Sequence, residues 1–206
     1  MPPTPWFTPR PAGASPRRWH ESNAVPGLTT QRLAKVADRV MVGYEESRQH
    51  YQHPERVVVT GTPVRQEMEE RRDKDESRAE LNLPKDRRVA LVMGGSQGAR
   101  NLNSLVIEAA RQCADLCDFL IITGSADFAR VSQLTADMPH VHVIEFCSAM
   151  ATAYAAADVV ISRSGASSLT ELAHMGKAAL LVPYPLPRMT TRRTTRASSR
   201  PTGRRA

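Results

Sequence analysis

Between Val57 and Val182 the chain repeats one pattern: a short run of β-branched and aliphatic residues, a loop, then a longer stretch with helical periodicity. Parallel strands need a crossover of about a dozen residues or more, and a helix supplies it, so the alternation dictates consecutive βαβ units. Strands are expected at Val57–Thr60, Arg88–Met93, Asp118–Thr123, Val141–Glu145, Asp158–Ser162 and Ala178–Val182. Their cores (VVV, VALVM, FLII, VVI, ALLV) are apolar at successive positions, as strands covered on both faces must be. Helices are expected over Ala99–Cys113, Ala126–Asp137, Ala149–Ala156 and Ser167–His174, with Gly176 as the stop of the last. The fold class is therefore α/β, a Rossmann-like parallel sheet with helices on both faces. Its strand-to-helix turns line the carboxyl edge, where open sheets of this kind bind ligands.

The flanks divide the chain further. Residues 1–19 form an irregular Pro/Arg-rich leader, and residues 20–56 hold one further unit, a helical pattern through Leu33, Val36 and Ala37 running into a strand at Arg39–Val42. Residues 57–187 are expected to make the main domain, and residues 188–206 a disordered tail. The charged segment from Glu67 to Asp86 reads as a solvated surface helix ending in a turn at Pro84.

Two strand-to-helix turns could carry chemistry. In LVMGGSQGARNLN (Leu91–Asn103), Gly94, Gly95 and Gly98 let the backbone approach a ligand, and the helix that follows offers unpaired N–H groups to a diphosphate. A purely structural tight turn would look the same. A Walker A loop is excluded, because Gly176-Lys177-Ala178 lacks the Ser/Thr and lies at a helix end. A dinucleotide fingerprint is excluded by G-G-x-x-G spacing and by a following strand that ends in Thr123-Gly124-Ser125 without an acid. The second turn, SRSGASSLTELAHMGK (Ser162–Lys177), sets Ser168 and Glu171 in the S-x-x-E relation of a capping box. Alternatively, Glu171 accepts hydrogen bonds from ribose hydroxyls at a helix start that faces the cleft.

Two shorter stretches add polar groups. HESNAVPG (His20–Gly27) gathers polar side chains before a Pro-Gly turn, and a His-Glu pair there is a surface feature more often than a catalytic one. GTPVR (Gly61–Arg65) follows a strand directly, so Arg65 is either an anion contact or an exposed ion-pair partner.

Composition removes some classes of function. Lys and Arg number 28 against 21 Asp and Glu, a net charge of +7, but seven arginines and no acids lie from Arg188 onward. The excess sits wholly in the tail, which has no interleaved aromatics, so nucleic-acid binding is not expected. Cys113, Cys117 and Cys147 form no C-x-x-C pair and have no histidine at ligand spacing, which speaks against a disulfide framework or a zinc site and fits a reducing cytoplasm. No run approaches the ~20 apolar residues of a membrane span, and the N-terminus has no apolar signal region.

Taken in order, HESNAVPG, GTPVR, GGSQGARNLN, EFCSAMATAYAAADVVISRSGASSLTELAHMGK and LLVPYP resemble the peptidoglycan GlcNAc transferases of glycosyltransferase family 28. The resemblance covers His20 to Pro187. It implies the C-terminal half of a two-domain GT-B enzyme, an inverting hexosyltransferase that moves GlcNAc from UDP-GlcNAc to undecaprenyl-pyrophosphoryl-MurNAc-pentapeptide. It also implies no cofactor, since UDP-GlcNAc is a substrate, and a peripheral place on the cytoplasmic face of the bacterial plasma membrane. By matching position, Ser96, with Gln97 beside it, meets the diphosphate. Ala166, Ser167, Ser168, Leu169, Thr170 and Glu171 form the donor-binding helix start, with Glu171 on the ribose. Cys147 meets the uracil through its backbone, and Asn23 and Arg65 match further donor-site positions. Thr62 stands where the family has Asn, and Cys147 where it has an aliphatic residue. By the same resemblance residues 20–56 are a remnant of the acceptor-binding N-terminal domain and the interdomain region; nearly all of that domain, with its Gly-rich, His-containing loop, has no counterpart, which leaves His20 as the candidate base by default. Donor binding is what such a chain is expected to retain; a non-catalytic truncated fragment is the alternative.

The tail bears on that expectation. After LLVPYP the family expects a loop ending near D-H-Q-T-x-N-A, whose Gln contacts the donor sugar. Starting each codon from Arg188 to Ala197 one base earlier permits H-D-H-Q-T-H-N-A-R, so the Thr/Arg tail reads as a frameshift scar.

Overall fold

The computed structural model describes residues 15–94 and 99–183. They fall into two compact units, the first running to Pro63 and the second beginning at Val64.

The first unit is a three-stranded parallel sheet in the order β1-β2-β3, with β1 at Arg18–Glu21, β2 at Arg39–Val42 and β3 at Val57–Val59. Helix α1, Leu28–Ala34, makes the crossover from β1 to β2, and two short 3-10 turns, Glu45–His50 and Pro54–Arg56, lead into β3. Val40, Val42, Val57, Ala37 and Tyr51 make its core. Two expectations are corrected here. Val57–Val59 does not open the main domain, because its ladder partner is β2, with Val40 opposite Val57. The irregular leader also ends earlier than residue 19, since Arg18 and Trp19 already pair with Arg39 and Val40.

The second unit carries the expected main sheet, with five parallel strands in the order β6-β5-β4-β7-β8. They are β4 Arg88–Met93, β5 Cys117–Ile122, β6 Val141–Ile144, β7 Val159–Arg163 and β8 Ala178–Val182. Helices α3 Arg100–Gln112, α4 Phe128–Leu134, α5 Met150–Ala156 and α6 Ala166–His174 link them in turn. Side chains alternate across the pleat, so one strand feeds two cores. Val89, Leu91 and Met93 of β4 join Leu120, Tyr154, Val160 and Leu172 on one face. Ala90 and Val92 join Phe119, Ile121, Leu102, Val106 and Val131 on the other. The edge strand β8 departs from the expected cover: Ala178, Ala179 and Leu180 are exposed, Leu180 at 59%. It has a strand neighbour on one side only, and no described helix follows it.

The charged segment is not one solvated helix. It holds a 3-10 turn at Gln66–Met68 and helix α2 at Lys74–Glu80, whose first turn is capped by the Asp73 carboxylate accepting from the Asp75 and Glu76 amides. Met68 and Arg78 face inward. The Arg78 guanidinium donates to the Ala156 and Lys85 carbonyls and to Asp158, so a charge can hide inside a stretch that reads as polar throughout.

Gly176, with φ +61°, stops α6 as expected: its amide bonds the Ala173 carbonyl, and that of Lys177 bonds Leu172. An L side chain is strained at that φ, which is why glycine sits there.

Candidate nucleotide-sugar site

Strand order fixes where a ligand would sit. From β4 the chain moves outward through β5 to β6, then returns past β4 to β7 and on to β8. The switch point lies between β4 and β7, where Met93 stands opposite Ser162, and crevices at such points take ligands. Both turns singled out in the sequence leave the sheet there. After β4 the chain reaches Gly94; Gly95, Ser96, Gln97 and Gly98 lie outside the described residues, and α3 begins at Arg100.

After β7, Ser164 is buried and Gly165 takes an extended conformation, φ −75° and ψ 145°, as the N-cap of α6. No side chain caps this helix. The first backbone bond runs from the Leu169 amide to the Gly165 carbonyl at 2.9 Å, so the amides of Ala166, Ser167 and Ser168 precede it and carry the positive end of the helix. The capping box is thereby corrected: Ser168 is the third helical residue rather than the cap, because Gly165 already provides the non-helical turn. Thr170 instead returns its hydroxyl to the Ala166 carbonyl, and Leu169 packs inward.

Glu171 turns inward from α6 and is 9% exposed. Its Oε1 accepts from Arg65 Nε at 3.2 Å and faces Arg65 Nη2 at 3.1 Å. Its Oε2 accepts from the Tyr154 hydroxyl at 2.9 Å. Arg65 also pairs with Glu67, Nη1 to Oε1, at 3.1 Å, while its own side chain stays about half exposed. Burial first, then the nearby Glu171 charge and the hydrogen bond to it, push the Tyr154 phenol well above the usual tyrosine range, so it stays a donor. Cys147 follows β6 and packs into the core that holds Tyr154 and Leu172. Burial raises its thiol, which is therefore a small apolar group rather than a nucleophile.

The structure thus joins Arg65 and Glu171, which sequence reasoning had named separately, and adds Tyr154 and Glu67, which it had not. The available signal was a single tyrosine in ATAYAAADVV, a lone large polar side chain in an alanine-rich helix that is buried throughout.

His20 and Asn23 belong to the first unit. His20 Nε2 lies 2.9 Å from the Gly61 carbonyl, which can only accept, so Nε2 carries the proton and Nδ1 faces Ser22 Oγ at 3.4 Å. Both ring nitrogens are engaged locally. Asn23 is tied to Glu21, whose Oε1 accepts from its amide at 2.9 Å and its Nδ2 at 2.7 Å.

Residues 89–189 match the model of the glycosyltransferase family 28 C-terminal domain. The chain carries this family 28 domain. It is 37% identical over 170 residues to the UDP-N-acetylglucosamine--N-acetylmuramyl-(pentapeptide) pyrophosphoryl-undecaprenol N-acetylglucosamine transferase of Acetivibrio thermocellus, covering 81% of this chain and 46% of that protein. The namesake from Desulfotalea psychrophila is 40% identical over 172 residues, 81% of this chain and 44% of its own. The crystal structure of Acinetobacter baumannii MurG superposes with a TM-score of 0.62 at 27% identity, over 89% of this chain and 50% of that one. A UDP-GlcNAc 2-epimerase from Neisseria meningitidis, bound to UDP-GlcNAc, shares the fold at TM-score 0.61 and 17% identity, over 84% of this chain and 51% of that one. The chain spans about half the length of the curated relatives it matches. The expected architecture, a Rossmann-like sheet as in the C-terminal half of a GT-B glycosyltransferase, is the one the family 28 domain adopts here. No helix among the described residues is long and apolar enough to cross a membrane.

Proposed function

We propose that the second unit binds UDP-GlcNAc and that the chain serves the donor half of GlcNAc transfer to undecaprenyl-pyrophosphoryl-MurNAc-pentapeptide, at the cytoplasmic face of the plasma membrane. The observation that carries the reading is the join of Arg65 and Glu171 beside the opening of α6, at the switch point of a family 28 sheet.

The chemistry follows from the groups present. In an inverting transfer a general base takes the proton of the acceptor hydroxyl as its oxygen bonds the sugar's anomeric carbon and the bond to UDP breaks. Negative charge then gathers on the leaving diphosphate. Backbone amides at Ala166–Ser168 offer donors to that charge before it develops, so little reorganisation is needed, and Ser96 and Gln97 of the Gly-rich loop are proposed to meet the same diphosphate. The half-exposed Arg65 guanidinium supplies a fixed positive charge. Glu171 accepts from the ribose, and the backbone at Cys147 meets the uracil. UDP-GlcNAc is a substrate on this reading, and the transfer calls on no cofactor.

Titrating UDP into the full chain by calorimetry tests the reading. Saturable heat with UDP and a much weaker response to ADP are expected; no heat at millimolar UDP overturns it.

A further inference from the structure

Tyr154 is fully buried, on a helix whose every residue is buried. A phenol hydroxyl sunk that deep costs free energy unless it is bonded, so the Tyr154 hydroxyl has to find a partner there. It finds Glu171 Oε2 at 2.9 Å, with Met93 Sδ at 3.3 Å. Met93 is the last residue of β4, immediately before Gly94, and Glu171 stands on α6. One hydroxyl therefore touches both elements that leave the sheet at the switch point.

The geometry at Glu171 gives that contact a purpose. An ionised carboxylate has about four acceptor positions. Arg65 crowds Oε1, its Nε donating at 3.2 Å and its Nη2 lying 3.1 Å away, and Tyr154 takes one position on Oε2, which leaves one on Oε2. Arg65 holds a single oxygen, and the last torsion of a glutamate is soft, so the carboxylate plane could pivot about that oxygen. The phenol on the other oxygen stops the pivot. We propose that Tyr154 is a positioning residue for nucleotide recognition: it fixes the Glu171 carboxylate so that the remaining Oε2 position accepts from a hydroxyl of the uridine ribose. This rests on the reading of the second unit as a UDP-sugar site.

The test compares UDP with 2′,3′-dideoxyuridine diphosphate, titrated by calorimetry into the full chain. The wild type is expected to prefer UDP by about tenfold or more, the usual worth of a hydrogen bond to a charged group. Tyr154→Phe should cut that preference to about threefold or less and leave the affinity for the dideoxy nucleotide within about twofold. Val160→Ala removes methyl groups from the same core without touching Glu171, and should lower thermal stability while keeping the full preference. If Tyr154→Phe keeps the tenfold preference, or Val160→Ala loses it equally, the positioning role is wrong while UDP binding stands. If the wild type binds neither nucleotide, the parent reading is what has failed.

A measurement on the wild type needs no folded variant. With tyrosine labelled at Cζ, the Tyr154 carbon signal should move with UDP and stay in place with the dideoxy nucleotide. Equal movement with both overturns the proposal.

Discussion

Each unit buries one glutamate to the same degree, Glu21 at 8% and Glu171 at 9% exposure, yet the two carboxylates do opposite things. Glu21 is closed on itself. It accepts from the Asn23 amide and side chain, the Gly27 amide and the Thr30 hydroxyl, all within nine residues along the chain. Glu171 accepts from Arg65, 106 positions away, and from Tyr154, 17 positions away, and keeps an acceptor position in reserve. A carboxylate saturated by its own loop is a latch that shapes the turn into α1. One held by distant elements keeps a position that, on the proposed reading, the nucleotide fills.

Removing each acid should separate the two roles. Glu21→Ala strands the Asn23, Gly27 and Thr30 donors that its carboxylate serves and should cost about 3–5 kcal/mol, since each donor left without its partner costs about 1 kcal/mol or more. Urea unfolding measures the loss, and amide exchange should quicken first in β1, α1 and β2. Glu171→Ala should instead weaken UDP binding by about 1.5–3 kcal/mol, roughly ten- to a hundredfold in affinity. If Glu171→Ala leaves UDP affinity unchanged, the contrast between latch and site collapses.

This difference also governs what was legible beforehand. The five-stranded sheet could be read because each strand is a local apolar run, and β4 and β8 fall on the residues expected. The stop at Gly176 is equally local. Val57–Val59 was misassigned because strand pairing is a long-range choice: VVV looks alike whether its partner is β2 or β4, and only the ladder shows that it is β2. The site divides the same way. Glu171 and Arg65 stand next to recognisable turns and were named, whereas their union across 106 positions was not visible. Tyr154 lies inside one of the resembling motifs without announcing a role, because a tyrosine among alanines reads as core until its hydroxyl is seen on a carboxylate. Glu67 and Arg78 are hidden for a related reason: a run of charges does not show which of its members meet a partner, Glu67 at Arg65 and the buried Arg78 at Asp158.

A pair of tyrosines offers a finer version of the contrast. Tyr51 in the first unit and Tyr154 in the second are both buried, and burial followed by a nearby glutamate charge raises both phenols, through Glu21 and Glu171 respectively. The Tyr154 hydroxyl donates to its glutamate; the Tyr51 hydroxyl has no hydrogen-bond partner among the described residues. Tyr154→Phe should therefore destabilise by about 1–3 kcal/mol, since Oε2 loses its donor, whereas Tyr51→Phe should be neutral or stabilise by up to about 1 kcal/mol. Thermal melts of the two variants check this, and equal losses would mean that the partner makes no difference. The sign with pH is fixed as well. A raised folded value gives stability that is complete below the unfolded tyrosine value of about 10 and is lost as pH rises beyond it. The alkaline limb of a stability profile should accordingly flatten in either variant.

Asp127 lies between the latch and the site, and its effect should be the smallest. Its carboxylate accepts from Arg130 Nε and Nη2, both at 2.7 Å and three residues along the chain, and from Asn103 Nδ2 at 2.8 Å, from 24 residues before it. The Arg130 hydrogen bonds come first in holding the acid below the usual carboxylate range; burial opposes them and the Asn103 bond assists. A depressed folded value means stability that is present above the unfolded aspartate value of about 3.9 and is lost as pH falls through the folded value. Asp127→Asn should remove that loss, so urea midpoints measured from pH 7 down to pH 3 should fall less steeply in the variant. With Arg130 partly exposed, screening limits the difference at pH 7 to about 1 kcal/mol or less. Arg130→Met should flatten the acid limb nearly as much if the local pair sets the depression. If Asn103→Ala flattens it more, the distant partner governs, and Asp127 belongs with Glu171 rather than with Glu21.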